Sequence, residues 1–231
     1  MDPVRKRLLM AGNGTLASVG WAVPRIVTAG EEGLPGILNT PRGLAWDEAG
    51  ARLFVADSGN NAVRWVDVVD GAKAIHTLAG VAERAVDSAE NGVPAWGSSV
   101  LSPAGLAYND SSQELFVTTG GHRVRLVDLA SGNISTVVNV DGLRGVQGDQ
   151  GPGALARLSS PKGLFSEGGL LFIADRDNHR VRLLYRDSGM IESAAGPVIV
   201  PTATSYSGAH VVVYSIPTDP RVTAAVPPAD E

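Results

Sequence analysis

Two carboxylates and two guanidinium groups recur at one spacing and are the side chains best suited to chemistry. Asp57 precedes Arg64, and Asp175 precedes Arg182, by seven residues in each case. Paired carboxylates act as general acid and base only when they meet in one cleft. Because this pattern repeats along the chain, we interpret each Asp and Arg as an ion pair of its own repeat. We therefore expect no catalytic residues and no enzyme activity.

Histidines are the other side chains that could hold a cofactor. The chain has four of them, at His76, His122, His179 and His210. A zinc or iron site needs three or four ligands that converge on one point. His122 and His179 instead occupy matching places in the repeated pattern, which favours a role in turns. The chain also has no cysteine, which excludes disulfides, thiolate metal sites and a cysteine nucleophile. We predict no metal and no other cofactor.

Composition places the chain among ordinary folded proteins. Its 231 residues are 44% hydrophobic and 19% charged, and the formal net charge is −5. That charge disfavours non-specific attraction to nucleic acid. The longest apolar runs fall far short of the roughly 18 residues that a membrane helix needs. We expect a soluble protein, cytoplasmic by default, that binds no nucleic acid and has no membrane span.

The elements that position these side chains belong to a repeat of about sixty residues. Its clearest marker is a Pro-x-Gly-Leu motif, which occurs three times in steps of 62 and 58 residues. The three copies are Pro41-Arg42-Gly43-Leu44, Pro103-Ala104-Gly105-Leu106 and Pro161-Lys162-Gly163-Leu164. After each copy come three further runs of β-branched and aliphatic residues, separated by Gly, Asn, Asp and Ser. The pattern predicts four strands in every repeat.

Turn residues support this division into strands. A Gly follows Asp or Ser between the third and fourth runs, where a hairpin needs a residue that tolerates positive φ. These dipeptides are Asp70-Gly71, Ser131-Gly132 and Ser188-Gly189. Four-stranded units in tandem are typical of β-propellers, in which each unit is a blade that packs on its neighbours. We therefore predict an all-β fold and expect Phe54, Phe116 and Phe172 to lie between blades.

The third copy resembles the NHL repeat, a family named for an Asn-His-Leu tripeptide between its second and third strands. The segment 174–182 reads Ala-Asp-Arg-Asp-Asn-His-Arg-Val-Arg, and the connection Gly145–Ala154 is similar to the Gly-Asp-Gly-Gly-Pro-Ala loop of the family. The resemblance covers roughly residues 26–196 and implies a propeller of four-stranded NHL-type blades. The residues that carry the structural motif are Asp57, Arg64, Arg125, Asp175, His179 and Arg182. Thr119 replaces the aspartate in the second copy, where we expect a looser turn or one aimed at a partner.

The repeats divide the chain into three complete blades with partial segments at both ends. Residues 1–30 are predicted as a partial first blade, residues 31–80, 81–139 and 140–196 as NHL blades, and residues 197–231 as a tail. In the first segment, Arg25–Gly30 is predicted as a fourth strand, with Arg7–Met10 or Leu16–Val19 as its third. In the tail, Val211–Ile216 is a candidate closing strand. The two ends could complete a closed four-blade ring, or the chain could be an arc completed by another chain or by absent sequence.

Residues that do not repeat are better guides to function, because the scaffold does not require them. The connections between blades carry Trp96, Arg144, Asp149 and Arg84, which we predict as the partner-binding residues. Trp and Arg are enriched among the residues that dominate protein interfaces, although Trp96 could instead cover the edge of a blade. We predict a non-catalytic interaction scaffold or subunit of a larger complex with protein partners. The resemblance also leaves open a lyase or lactonase with an axial metal, and an RNA-binding NHL domain.

Overall fold

The computed structural model describes residues 9–12, 15–18, 38–67, 75–81 and 86–195. Strands β1 (Leu9–Gly12) and β2 (Thr15–Ser18) form an antiparallel pair. The rest of the described chain forms three antiparallel sheets, one for each repeat. Helical structure in these ranges is confined to four short 3-10 turns, at Ser58–Asn60, Ala95–Gly97, Gly153–Leu155 and Arg176–Asn178. The prediction of an all-β chain with four strands in each repeat is therefore confirmed.

Each sheet contains four strands in sequence order. The first sheet consists of β3 (Pro41–Asp47), β4 (Arg52–Asp57), β5 (Ala62–Asp67) and β6 (Ile75–Ala79). The second consists of β8 (Leu106–Asn109), β9 (Glu114–Thr118), β10 (Val124–Asp128) and β11 (Asn133–Val138), with the short β7 (Val93–Pro94) added beside β11. The third consists of β13 (Leu164–Glu167), β14 (Leu170–Asp175), β15 (Arg180–Tyr185) and β16 (Met190–Ala195), with β12 (Gly151–Pro152) added beside β16.

The connections between sheets supply these fifth strands, which the sequence pattern did not indicate. A connection leaves the fourth strand of one sheet, pairs briefly with the fourth strand of the next, and then enters that sheet's first strand. The 3-10 turns at Ala95–Gly97 and Gly153–Leu155 follow the fifth strands directly and pack against β6 and β11 of the preceding sheets. Fourth strands are thus held apart by connections.

First strands, in contrast, lie side by side. Strand β8 contacts β3 on one side and β13 on the other. A Cβ added at Gly43 would lie less than 3.0 Å from the carbonyl oxygen of Ala104, and one added at Gly105 would lie equally close to that of Lys162. The repeated glycine therefore permits close approach of neighbouring backbones. Sheets that converge at their first strands and separate at their fourth strands are wedges around a common pivot, as in a propeller.

Two apolar cores fill the space between the wedges. The trailing face of a sheet is the one that carries the repeated phenylalanine, and the leading face carries the leucine before it. The trailing face of the first sheet packs Phe54 against Leu115 of the second, and the trailing face of the second packs Phe116 against Leu171 of the third. Phe54 is 0% and Phe116 is 1% exposed, and such burial contributes about 1.5 to 3 kcal/mol for each ring. The expected positions of these two rings are confirmed.

A β-bulge occurs at one place in all three sheets. The register of the third and fourth strands shifts between Val63 and Arg64, and the equivalent shift lies directly before Arg125 and before Arg182. A bulge leaves one residue unpaired and re-aims the side chains beside it. Here it precedes the repeated arginine, whose guanidinium group is buried in every sheet.

The ends of the chain lie largely beyond the described residues. Strands β1 and β2 overlap both segments that were alternatives for a third strand, Arg7–Met10 and Leu16–Val19, and β1 lies next to β3. The predicted strands Arg25–Gly30 and Val211–Ile216 lie outside the described residues, so the number of blades stays a prediction. In the parts of the chain that the structure describes, no helix is long and apolar enough to cross a membrane.

Candidate interaction surface

The turn between the second and third strands of the first sheet is organised by Asp57. Its Oδ1 accepts the backbone N–H of Asn39 at 2.7 Å, and its Oδ2 accepts the side-chain amide of Asn60 at 2.8 Å and Nε of Arg64 at 3.0 Å. Asp57 is fully buried and Arg64 nearly so. Its burial and its three hydrogen bonds to the scaffold indicate a structural role for this carboxylate.

The third sheet repeats this arrangement with one addition. Asp175 accepts the backbone N–H of Ser159 and the amide of Asn178, both at 2.7 Å, while its Oδ2 lies 3.8 Å from Arg182. Burial raises the pKa of Asp175, and these hydrogen bonds and the arginine oppose that rise. The added group is Asp149 of the preceding connection, whose Oδ1 lies 2.9 Å from Nε of Arg182.

Asp149 therefore serves the blade to which its connection leads. Its second oxygen accepts the hydroxyl of Ser193 at 2.7 Å and lies 3.5 Å from Arg180. The side chain is 34% exposed, while the arginine side chains are 5% and 0% exposed. Asp149 therefore balances two buried cations of its own blade, and its contact with a partner stays a prediction.

In the second sheet, the carboxylate at this turn comes from a different part of the chain. Thr119 occupies the aspartate position, and its hydroxyl donates to Oδ2 of Asp87 at 3.2 Å. Asp87 belongs to the connection and also pairs with Arg123. The turn at Thr119 is therefore not loose, because a carboxylate from outside the repeat motif, that of Asp87, binds it. Sequence reasoning missed Asp87 because its equivalent cannot be found by repeat spacing.

Arg125 completes the second network without a carboxylate within ion-pair distance among the described residues. Its guanidinium donates to backbone carbonyls of the connection, those of Ser88, Glu90 and Ser99, and to Ser135 of the fourth strand. Arg182 makes the equivalent bond to the carbonyl of Arg157, at 3.3 Å. Burial lowers the pKa of Arg125, and Asp87 opposes that shift. Arg125 and Arg182 therefore each hold the preceding connection against their own blade.

Of the other predicted partner residues, Trp96 and Arg144 lie on two different connections between blades. Trp96 lies in the 3-10 turn at Ala95–Gly97 and is 72% exposed. Arg144 lies 3.2 Å from Asp177 and also donates to the hydroxyl of Ser159. Its side chain is 63% exposed. Arg84 lies outside the described residues. Trp96 and Arg144 remain available for contacts, while Asp149 is engaged internally.

Turns between second and third strands also link each sheet to the next. The left-handed residue of this turn is Asn61, His122 or His179, with φ values of 50°, 64° and 55°. The side chain of Asn61 accepts the backbone N–H of Ser102 at 2.9 Å, and Nδ1 of His122 accepts that of Ser160 at 3.1 Å. In both cases the acceptor belongs to the turn of one sheet, and the donor lies just before the first strand of the following sheet. His179, at the third turn, has no such donor among the described residues.

No described blade packs against the trailing face of the third sheet, in contrast to the first two sheets. Phe165 occupies the place that Ala45 and Ala107 hold in the first two sheets, where both contact the core. Phe165 is 56% exposed, and its ring lies 6.0 Å from that of Phe172, which is only partly buried. A Cβ added at Gly163 would have only the Cβ of Ala174 nearby, at 3.5 Å. The uncovered area is the inner half of the face, since Leu183 on the third strand is buried.

The leading face of the first sheet differs from this. Its residues Leu53 and Val55 are 5% and 0% exposed and form a small core with Leu38. On the first strands, Leu44 and Trp46 of the first sheet are 38% and 41% exposed, and Phe165 of the third sheet is the most exposed of these side chains. Within the described ranges no three His, Asp or Glu side chains are grouped to hold a metal ion.

Comparison with known proteins supports the resemblance of the repeats to NHL repeats. No family model matches the chain. NHL repeat-containing protein 2 of Gallus gallus is 28% identical over 146 residues, which are 61% of this chain and 20% of that relative. The aligned region thus spans about a fifth of the length of the curated relative.

Solved structures show the same fold at low sequence identity. The structure of the nidogen/laminin complex has a TM-score of 0.54 at 14% identity, covering 82% of this chain and 61% of that one. A protein of unknown function from Bacteroides thetaiotaomicron has a TM-score of 0.50 at 20% identity, covering 61% and 34%. An auxiliary nutrient binding protein from the same organism has a TM-score of 0.50 at 17% identity, covering 65% and 36%. The repeat motifs, the wedge-shaped sheets and these similarities together support a β-propeller type of fold built from repeats that resemble NHL repeats.

Proposed function

We propose that the chain is a protein-interaction module that takes part in a larger assembly through the trailing face of its third blade. The observation that carries the proposal is the 56% exposure of Phe165 on a face whose two counterparts are closed by a neighbouring blade. Large apolar side chains grouped on one exposed face mark interaction sites in folded proteins.

The interfaces between the first and second blades and between the second and third blades indicate what kind of partner surface would fit the third blade. In each, a glycine of the first strand receives a carbonyl of the next blade, a phenylalanine enters a core, and a turn side chain accepts a backbone N–H. The third blade presents all three features in Gly163, Phe172 and His179. The partner surface is therefore the leading face of another propeller blade.

Paired variants in cross-linking experiments test this function. A photoreactive phenylalanine analogue at position 165 should cross-link to the partner in the native source, while the same analogue at Leu155, which is 76% exposed on a connection, should not. The cross-linked peptide should map to the first or second strand of a blade. If the partner is a second copy, sedimentation of the purified chain will show a dimer.

Gly163→Ala separates docking from folding. A Cβ here has open space within the chain but would meet the carbonyl of a docked blade, as it would at Gly105. The variant should keep wild-type stability and lose the cross-link from position 165. Equal cross-linking from positions 165 and 155, or a docked complex that tolerates Gly163→Ala, would contradict the proposal.

A further inference from the structure

Three basic side chains lie at the pivot, at the end of the blades where the second and third strands are joined. Arg42 and Lys162 occupy the variable position of the Pro-x-Gly-Leu motif in the first and third blades, and Ala104 stands between them. The close approach of Gly43 to the Ala104 carbonyl and of Gly105 to the Lys162 carbonyl places these three positions in a row across adjacent blades, with Ala104 between the two cations. Arg176 directly follows the buried Asp175 at the same end.

Positive charge exceeds negative charge in this group. Arg42 and Lys162 have no carboxylate within ion-pair distance among the residues described. Asp177 is the acid of this region, and it already lies 2.8 Å from Arg176 and 3.2 Å from Arg144. Hydrogen bonds from Arg176 and from the side chain of Ser160, with a smaller effect of the Arg144 charge, lower the pKa of Asp177 to about 2, so this carboxylate stays ionised and paired.

The cations also act on one another. Burial lowers the pKa of the Lys162 amine, and the charges of Arg42 and Arg176 lower it further. Asp177 opposes this shift. Holding several like charges together with too few counter-charges costs stability, and a bound anion would remove that cost. In a chain with a net charge of −5, such a local excess of positive charge needs an explanation.

We infer that Arg42, Lys162 and Arg176 form an oxyanion-binding site at the pivot, which takes a small ligand bearing a phosphate or carboxylate group. The planar guanidinium of Arg42 suits two oxygens of such a group, and the Lys162 ammonium adds a point charge. All three side chains belong to this chain, so the site does not require the proposed assembly, although Lys162 adjoins Gly163 of the docking face.

Lysine NMR gives a direct test, because the chain has only three lysines, Lys6, Lys73 and Lys162. With ¹³C at lysine Cε, the Lys162 signal is assigned from its loss in Lys162→Gln. Inorganic phosphate should shift this signal and raise the pKa of Lys162, while the other two signals stay unchanged. Titration with succinate in place of phosphate distinguishes a carboxylate ligand from a phosphate ligand.

Calorimetry of the variants completes the test. Arg42→Gln and Lys162→Gln should each weaken phosphate or succinate binding about tenfold, as expected for loss of one charged hydrogen bond. Arg157→Gln removes the same charge from a side chain paired with Asp141 and should leave the affinity unchanged. The inference is overturned if the three lysine signals respond alike, if neither anion binds, or if Arg157→Gln weakens binding as much as Arg42→Gln.

Discussion

The close approach of first strands makes Gly105→Ala the most informative single substitution. A Cβ at this position would lie less than 3.0 Å from the carbonyl oxygen of Lys162. That oxygen belongs to backbone and cannot move aside freely, because the N–H of Lys162 donates to the carbonyl of Ala174 at 3.0 Å. The second and third blades must therefore separate, and the core between Phe116 and Leu171 loses contact.

The expected loss in the free energy of unfolding depends on whether the added Cβ meets backbone or a movable side chain. Overpacking a well-filled interface costs typically about 1 to 3 kcal/mol, and a backbone neighbour places Gly105→Ala at the upper end, about 3 kcal/mol. For a domain of this size the melting temperature should fall by about 6 to 12 °C. Gly163→Ala is the matched control, since its nearest neighbour lies at 3.5 Å. It should be neutral or stabilising by up to about 1 kcal/mol through reduced freedom of the unfolded chain.

Urea unfolding followed by circular dichroism, with thermal melts, measures both variants. The wild type, Gly105→Ala and Gly163→Ala should show similar spectra before unfolding, so that the midpoints report stability and not a change of fold. If the two variants lose the same free energy of unfolding, or if Gly105→Ala is neutral, the assignment of a closed second interface and an open third one is refuted.

Two further predictions concern the polar networks. Burial, together with the charge of Arg144, holds the pKa of His122 below its ordinary value of 6.5. As the pH falls below about 6.5, His122 is protonated in the unfolded chain before it is protonated in the folded one, so the free energy of unfolding declines. His122→Asn, which copies the first blade, should keep the acceptor for Ser160 and show a smaller decline between about pH 7.5 and 5 in thermal melts; identical pH profiles would disprove this. Asp87→Ser should lower the free energy of unfolding by about 3 to 5 kcal/mol, because it leaves the largely buried Arg123 without its carboxylate. Adding Thr119→Asp should restore part of this loss, as measured by urea unfolding. If the effects of the two substitutions are simply additive, the carboxylate of Asp87 does not replace the aspartate that is missing at position 119.

Much of the fold could be predicted from the sequence because a blade is a local unit. The four strands of each repeat, the hairpin turns and the positions of Phe54 and Phe116 follow from period-two alternation and turn residues, which act over a few neighbours. The motif residues Asp57 and Arg64 could be paired for the same reason, since their strands are adjacent along the chain. The three copies of the repeat gave independent support for the strand and turn assignments.

Contacts between distant segments required the tertiary structure. Asp87 replaces the missing aspartate at Thr119 from a connection 32 residues away, and no spacing rule predicts such a substitution. Asp149 was recognised in the sequence as a connection residue, and its ion pair with Arg182 is visible only in the fold. The bulge that directs the repeated arginine inward depends on the register between strands, which sequence periodicity does not fix.

The sequence by itself determined that three wedge-shaped units are built alike, because the apolar pattern within a unit defines its strands and their two faces. Only the tertiary structure decided that these like units have unlike surroundings. Phe54 and Phe172 share one place in the repeat, yet the first is sealed in a core while the second lies on an open face. Burial depends on the neighbour that a face meets, and that neighbour is not encoded in the repeat itself.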